Sequence, residues 1–241
     1  MSCLRLALLG SQGKYLIPDE LKKLRNFFHK IYLRHKNFWT NDRILSLVKG
    51  SCFFAIALIV QKLADSYVGD IKGVAVPDLL LDHLPTVDID FLIIQGALVL
   101  TALIFWLMII KPKYLIFTVN ALAIFIITRS FFISLTHLGV SPRELPLDTN
   151  TFGFGLYNWL FNTKGDFFFS GHTGIPYLMA MIFWKEKIWR YIFLAVSLIF
   201  AVSVILAHIH YSIDVFAAPF MTYGIFIIAL TLFPKELKLT E

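Results

Sequence analysis

The sequence predicts an all-α membrane protein: a bundle of six transmembrane helices with a basic amphipathic N-terminal interfacial helix. Hydrophobic residues make up 58% of the 241 residues and charged residues only 16%, whereas a soluble domain is about half apolar and about a quarter charged. The apolar residues also form runs close to the length of about 20 residues that crosses a bilayer. A soluble fold would need a core too large for this chain, so the sequence favours the bilayer as the solvent of these runs.

The basic helix is the first predicted element and lies within residues 17–38. Pro18, Asp19 and Glu20 form a helix-start signal. Apolar residues then recur at helical spacing among lysines and arginines, which is typical of a helix lying in the cytoplasmic interface. A partner-binding helix is the alternative. Residues 1–45 are therefore predicted to form a basic cytoplasmic or interfacial arm.

Six apolar segments follow and form the predicted catalytic transmembrane domain, residues 46–233. The fourth segment has Gly, Pro and His near its start, so its first turns are expected to face a water-accessible cavity. Residues 234–241 are expected to form a cytoplasmic tail. The six segments are 46–64, 91–110, 113–135, 168–184, 188–208 and 214–233.

Positive charges fall mainly in alternate connections between these segments. The net charge is +6, and the positively charged residues lie beside apolar spans. This placement indicates anionic lipid headgroups as partners and not nucleic acid. The positive-inside rule then places both termini in the cytoplasm and the opposite helix ends on the exoplasmic (periplasmic or lumenal) face. The small size favours a bacterial inner membrane, while the oligomeric state is left open.

Two short motifs lie on the predicted exoplasmic face. Ser170, Gly171 and His172 lie at the start of the fourth segment, and His210 and Asp214 lie where the fifth ends and the sixth begins. The four-residue spacing of the last two is typical of one side of a helical turn. A histidine nucleophile, an aspartate that orients it and a second histidine that transfers a proton are suited to phosphoryl transfer. A helix start at the first motif would add backbone N–H groups for phosphate oxygens.

These residues resemble the sphingomyelin synthase branch of the type-2 phosphatidic acid phosphatase superfamily over roughly residues 50–230. The quoted stretches are GDFFFSGHT at 165–173, AHIHYSIDV at 207–215, VPDLLLD at 76–82 and Arg129-Ser130. The resemblance implies that His210 is the nucleophile, Asp214 its partner and His172 the acid and base. It also implies a six-helix bundle with an exoplasmic active site, and no metal or other cofactor.

Further residues around the motifs are expected to contact substrate. Arg129 lies within the third segment, where a charge needs a partner such as a phosphate, Asp166 or Asp214. A structural ion pair or snorkelling is its alternative role. The expected substrate-binding residues are Arg129, Asp166, Ser170, Gly171, Thr173, His208 and Tyr211.

The departures from the family pattern bear on the substrate. The K-x6-R-P and S-R-x5-H-x3-D elements of the superfamily's lipid phosphatases are incomplete, which favours a phosphodiester over a terminal phosphate. We therefore predict a lipid phosphotransferase or phosphodiesterase that passes a phospholipid headgroup to ceramide, to a diacylglycerol-type alcohol or to water. Ile209 stands where those synthases have Asp.

Three alternatives are open from the sequence. One is a lipid phosphate phosphatase, and another is a non-catalytic lipid-binding membrane protein. The third is a zinc site built from the histidines of the two motifs and Asp214, since both residue types are permissible zinc ligands.

Overall fold

The computed structural model describes residues 19–71, 73–135, 137–161 and 168–240. This part of the chain contains helices, turns and loops and no β-strand, with one isolated bridge between Val74 and Leu138. The elements are α1 (Asp19–Phe38), α2 (Asn41–Gly69), α3 (Asp90–Ile110), a 3₁₀ helix (Pro112–Tyr114), α4 (Leu115–Leu135), α5 (Phe154–Phe161), α6 (Gly171–Ile182), α7 (Lys187–Leu206), α8 (Ser212–Leu232) and α9 (Pro234–Lys238).

Five helical segments of the described chain are long and apolar enough to cross a membrane: Asn41–Gly69, Asp90–Ile110, Pro112–Leu135, Lys187–Leu206 and Ser212–Leu232. They coincide with five of the six predicted segments, which confirms an all-helical, multi-pass membrane protein. The remaining segment, 168–184, contains α6. Its 12 residues measure about 18 Å at 1.5 Å per residue, less than the hydrocarbon thickness of about 30 Å. A sixth crossing therefore stays a prediction.

The N-terminal helix α1 begins at Asp19, and its apolar side chains are largely exposed, including Leu24 and Phe28. A helix thus forms where the sequence predicts one. Its position in a membrane interface stays a prediction, as do the boundaries of the arm, the catalytic domain and the tail.

Polar contacts distinguish two ends of the helix bundle. At one end, Lys111 Nζ in the α3–α4 connection pairs with Glu186 Oε1 in the α6–α7 connection, 2.6 Å away. At the other end, the backbone N–H of Ser170 donates to the carbonyl of Asp214 at 2.9 Å. The two histidine motifs therefore lie at the end away from these basic connections. Which end faces the cytoplasm stays a prediction.

Helix α4 lies at the centre and packs against α2, α6 and α8. Gly174 allows α6 to approach this core closely, because a Cβ atom there would lie 2.8 Å from Phe125 Cζ and 2.9 Å from Thr222 Oγ1. Phe125 is itself buried, so it has little room to move away. This packing fixes the first turn of α6, which carries His172.

Candidate active site

The first motif forms the start of α6. Ser170 is the N-cap residue, and its Oγ accepts a hydrogen bond from the backbone N–H of Thr173 at 3.4 Å. Gly171 and His172 are the first two helical residues, and N–H groups at these positions have no carbonyl partner within a helix. The sequence SGHT therefore produces a capped helix start with a histidine in its first turn.

The second motif forms the turn between α7 and α8. Asp214 lies in the first turn of α8, and its Oδ2 accepts from the backbone N–H of Tyr211 at 3.1 Å. The same oxygen lies 3.4 Å from His210 Nδ1. His208 has a φ of 57°, in the left-handed region, which bends the chain back after α7. His210 precedes α8, so the two residues do not lie in one helix. The turn before α8 brings His210 close to Asp214.

The backbone contact between Ser170 and Asp214 joins the two motifs. It places the rings of His172 and His210 side by side, with centroids 6.3 Å apart and planes inclined at 64°. The side chain of His210 is 4% exposed and that of Asp214 is 0% exposed. Because little water reaches this pair, any charge that develops on it is screened less than at a surface.

Aromatic residues surround His172. The Tyr157 hydroxyl lies 2.9 Å from His172 Nε2, and the rings of Phe161 and Phe200 lie 6.3 and 5.7 Å from the imidazole between centroids. Tyr157 and Phe161 belong to α5, within the long connection between α4 and α6. Sequence reasoning missed Tyr157 because no motif contains it.

Arg129 lies beside the first turn of α6. Its Nε donates to the carbonyl of Phe169 at 3.2 Å, and a Cβ atom on Gly171 would lie 3.5 Å from that nitrogen. The arginine thus places positive charge next to a helix N-terminus, where the helix dipole also favours anions. Asp166, which was expected to contact substrate or Arg129, lies outside the described residues.

The remaining predicted contact residues are buried at this end of the bundle. Tyr211 donates its hydroxyl to the carbonyl of Gly139 at 2.8 Å, and Thr173 is 2% exposed. His208 follows the end of α7 and is 1% exposed. Burial of its ring, followed by the positive charge of Arg143, lowers the pKa of His208. Their contact with substrate stays a prediction.

The zinc alternative requires donor side chains grouped around one point. Within the described residues, no group of three or more His, Cys, Asp or Glu side chains is arranged to hold a metal ion. The described positions of His172, His208, His210 and Asp214 therefore give no support to the zinc alternative.

Residues 164–231 match the family model described as PAP2 superfamily C-terminal. The match supports the type-2 phosphatidic acid phosphatase superfamily. It covers α6, α7 and nearly all of α8, so it contains both histidine motifs. In general terms, the match therefore supports a membrane lipid phosphatase or phosphotransferase. No curated protein and no solved structure matched the chain.

Proposed function

We propose that the protein is a lipid headgroup phosphotransferase or phosphodiesterase of the sphingomyelin synthase type, working through a phosphohistidine. One observation carries this proposal: His210 is buried, paired through Nδ1 with Asp214 and adjacent to His172. These are the three groups that a histidine-based phosphoryl transfer requires.

The first step is attack by His210 on the phosphorus of a phospholipid. Nδ1 faces Asp214, so Nε2 forms the new P–N bond while the bond from phosphorus to the diacylglycerol oxygen breaks. His172 gives a proton to that leaving oxygen. The imidazole of His210 becomes positively charged as the P–N bond forms, and the carboxylate of Asp214 stabilises this charge.

The second step returns His210 to its starting state. The hydroxyl of an acceptor attacks the phosphorus, His172 takes the acceptor's proton, and the P–N bond breaks. Ceramide or another lipid alcohol as acceptor gives a new phospholipid, whereas water gives a free phosphorylated headgroup. The aromatic cover from α5 would limit the access of water to this step.

The substrate phosphate would bind at the start of α6. The backbone N–H groups of Gly171 and His172 and the guanidinium of Arg129 are grouped there, and each favours phosphate oxygens. Because the basic elements of the superfamily's lipid phosphatases are incomplete in this sequence, we propose a phosphodiester substrate.

Purified protein in detergent, supplied with phosphatidylcholine or phosphatidylethanolamine labelled in the headgroup, tests the proposal. The label is expected to pass to added ceramide, or to water without it, and His210→Ala is expected to reduce turnover to background. His83→Ala is the matched control. This histidine is exposed and its Nδ1 contacts the carbonyl of Leu79 in its own loop, so the variant should retain wild-type turnover.

Three results would contradict the proposal. Unchanged turnover in His210→Ala would refute the phosphohistidine mechanism. Release of inorganic phosphate from phosphatidate, without turnover of either phosphodiester, would identify a lipid phosphatase. Binding of these lipids without turnover would indicate a non-catalytic lipid-binding protein.

A further inference from the structure

Asp78 connects the loop after α2 to the start of α8. Its Oδ2 accepts hydrogen bonds from both the backbone N–H and the Oγ of Ser212, each at 2.8 Å. Its Oδ1 accepts from the backbone N–H groups of Leu80 and Leu81 at 2.9 and 3.1 Å. One carboxylate therefore closes its own loop and also caps a helix 134 positions further along the chain.

The surroundings of Asp78 keep it ionised. The residue is 8% exposed, and burial by itself would raise the pKa of its carboxyl group. The hydrogen bonds from Leu81, Ser212 and Leu80 outweigh burial, so the pKa of Asp78 is lowered. An anion at the N-terminus of α8 also interacts favourably with the helix dipole. The capping contact is thus charge-assisted at neutral pH, the stronger class of hydrogen bond.

Ser212 lies between the two residues of the proposed nucleophilic pair. His210 is two positions before it and Asp214 two positions after it. A second contact holds the same turn, because the Tyr211 hydroxyl accepts from the backbone N–H of Val76 at 3.3 Å. The loop carrying Asp78 therefore holds the turn from outside the two histidine motifs.

We propose that Asp78 is a positioning residue that sets the distance and angle between His210 and Asp214 by anchoring Ser212. This inference rests on the proposed function, since it assigns Asp78 a part in that reaction without contact with the substrate. A displacement of about 1 Å at a reacting group can cost about 100-fold in rate. Loss of the anchor therefore acts on the chemical step more than on lipid binding.

Kinetics of Asp78→Asn, Ser212→Ala and the double variant test the inference. Asp78→Asn is expected to lower kcat about 10- to 100-fold with KM within about twofold of wild type. Ser212→Ala keeps its backbone N–H and should lower kcat less. Because both changes act on one contact, kcat of the double variant should lie within about twofold of Asp78→Asn. Asp88→Asn, an exposed carboxylate of the same loop, is the control and should match wild type.

Two measurements separate positioning from general loss of structure. Rates are expressed per folded protein, determined by size exclusion, and hydrogen exchange is followed in the peptide covering residues 207–216. Faster exchange there in Asp78→Asn, but not in Asp88→Asn, is expected. If Asp78→Asn does not fold, Ser212→Ala carries the same test because it deletes one hydroxyl.

The outcomes distinguish this inference from the proposed function. Wild-type kcat in Asp78→Asn and Ser212→Ala, together with an inactive His210→Ala, would overturn the positioning role alone. Additive losses in the double variant would also overturn it. If wild-type protein turns over no phosphodiester lipid, the proposed function fails. The anchoring contact is then tested by hydrogen exchange, and unchanged exchange at 207–216 in Asp78→Asn would refute it.

Discussion

Replacing Asp214 by Asn removes the charge that faces His210 while keeping the shape of the side chain. The amide oxygen can still accept the hydrogen bond from the backbone N–H of Tyr211, which Asp214 Oδ2 receives at 3.1 Å. The start of α8 should therefore persist. The interaction with the imidazole changes, because a neutral amide cannot balance the positive ring that forms during phosphoryl transfer.

The size of the effect follows from the geometry. Two unit charges 3.4 Å apart attract by about 5 kcal/mol at an effective dielectric constant of about 20. Each factor of ten in rate corresponds to about 1.4 kcal/mol. Asp214→Asn should therefore lower kcat by about 10³- to 10⁴-fold, with a smaller change in KM because the charge develops only during the reaction.

The assay is headgroup release from labelled phosphatidylcholine, with acid-labile phosphohistidine trapped by rapid quenching. The variant should accumulate less phosphohistidine at early times and should elute like wild type on size exclusion. A folded Asp214→Asn protein with kcat within about threefold of wild type would refute the charge-balancing role of Asp214.

Two further predictions concern residues of the connection between α4 and α6. Tyr157→Phe deletes the hydroxyl 2.9 Å from His172 Nε2. One hydrogen bond contributes about 1.4 kcal/mol, which corresponds to a tenfold change in rate, so kcat should fall about tenfold. Equal kcat in steady-state assays would contradict this prediction. Burial raises the pKa of Glu144 from 4.5 to about 7. The folded state then binds the proton more tightly than the unfolded chain, so this stabilisation is complete below pH 4.5 and lost as pH rises through about 7. Glu144→Gln should consequently have a higher Tm than wild type at pH 8 and a nearly equal Tm at about pH 4, below the unfolded-state pKa. Equal values at both would exclude the effect.

The apolar runs predict the long helices well, because the bilayer imposes both length and composition on a crossing segment. The weakest case is the 168–184 segment, in which the regular helix covers only Gly171–Ile182. Its opening Gly and His residues belong to the capped start beside His210. Composition therefore located this segment but did not give the bounds of its helix.

The candidate site was predictable where its residues lie in short motifs. The adjacency of His172 and His210 follows from the chain crossing the bundle twice between them. The contact of His210 with Asp214 was expected within a helix, but α8 begins at Ser212 and the turn before it supplies the contact. Four-residue spacing does not distinguish these two geometries.

Contacts between distant parts of the chain could not be predicted. Tyr157 reaches His172 from α5, and Asp78 reaches Ser212 across 134 positions. Neither contact leaves a periodic signal, because each depends on how separate helices and loops pack. The resemblance of VPDLLLD to a family loop drew attention to the stretch that contains Asp78, but it assigned no role to this residue.

The loop after α2 and the loop after α4 cross beside the bridge between Val74 and Leu138, at the end of the bundle that carries the two histidine motifs. Their close contact decides where a reporter group can be attached. A Cβ atom on Gly139 would lie 2.6 Å from the carbonyl oxygen of Gly73 and 2.7 Å from the backbone nitrogen of Ala75. Neither loop can accept a side chain there without separating from the other. Thr149 is exposed in the same connection, so a cysteine placed there can report which side of the membrane this end faces while the crossing stays intact.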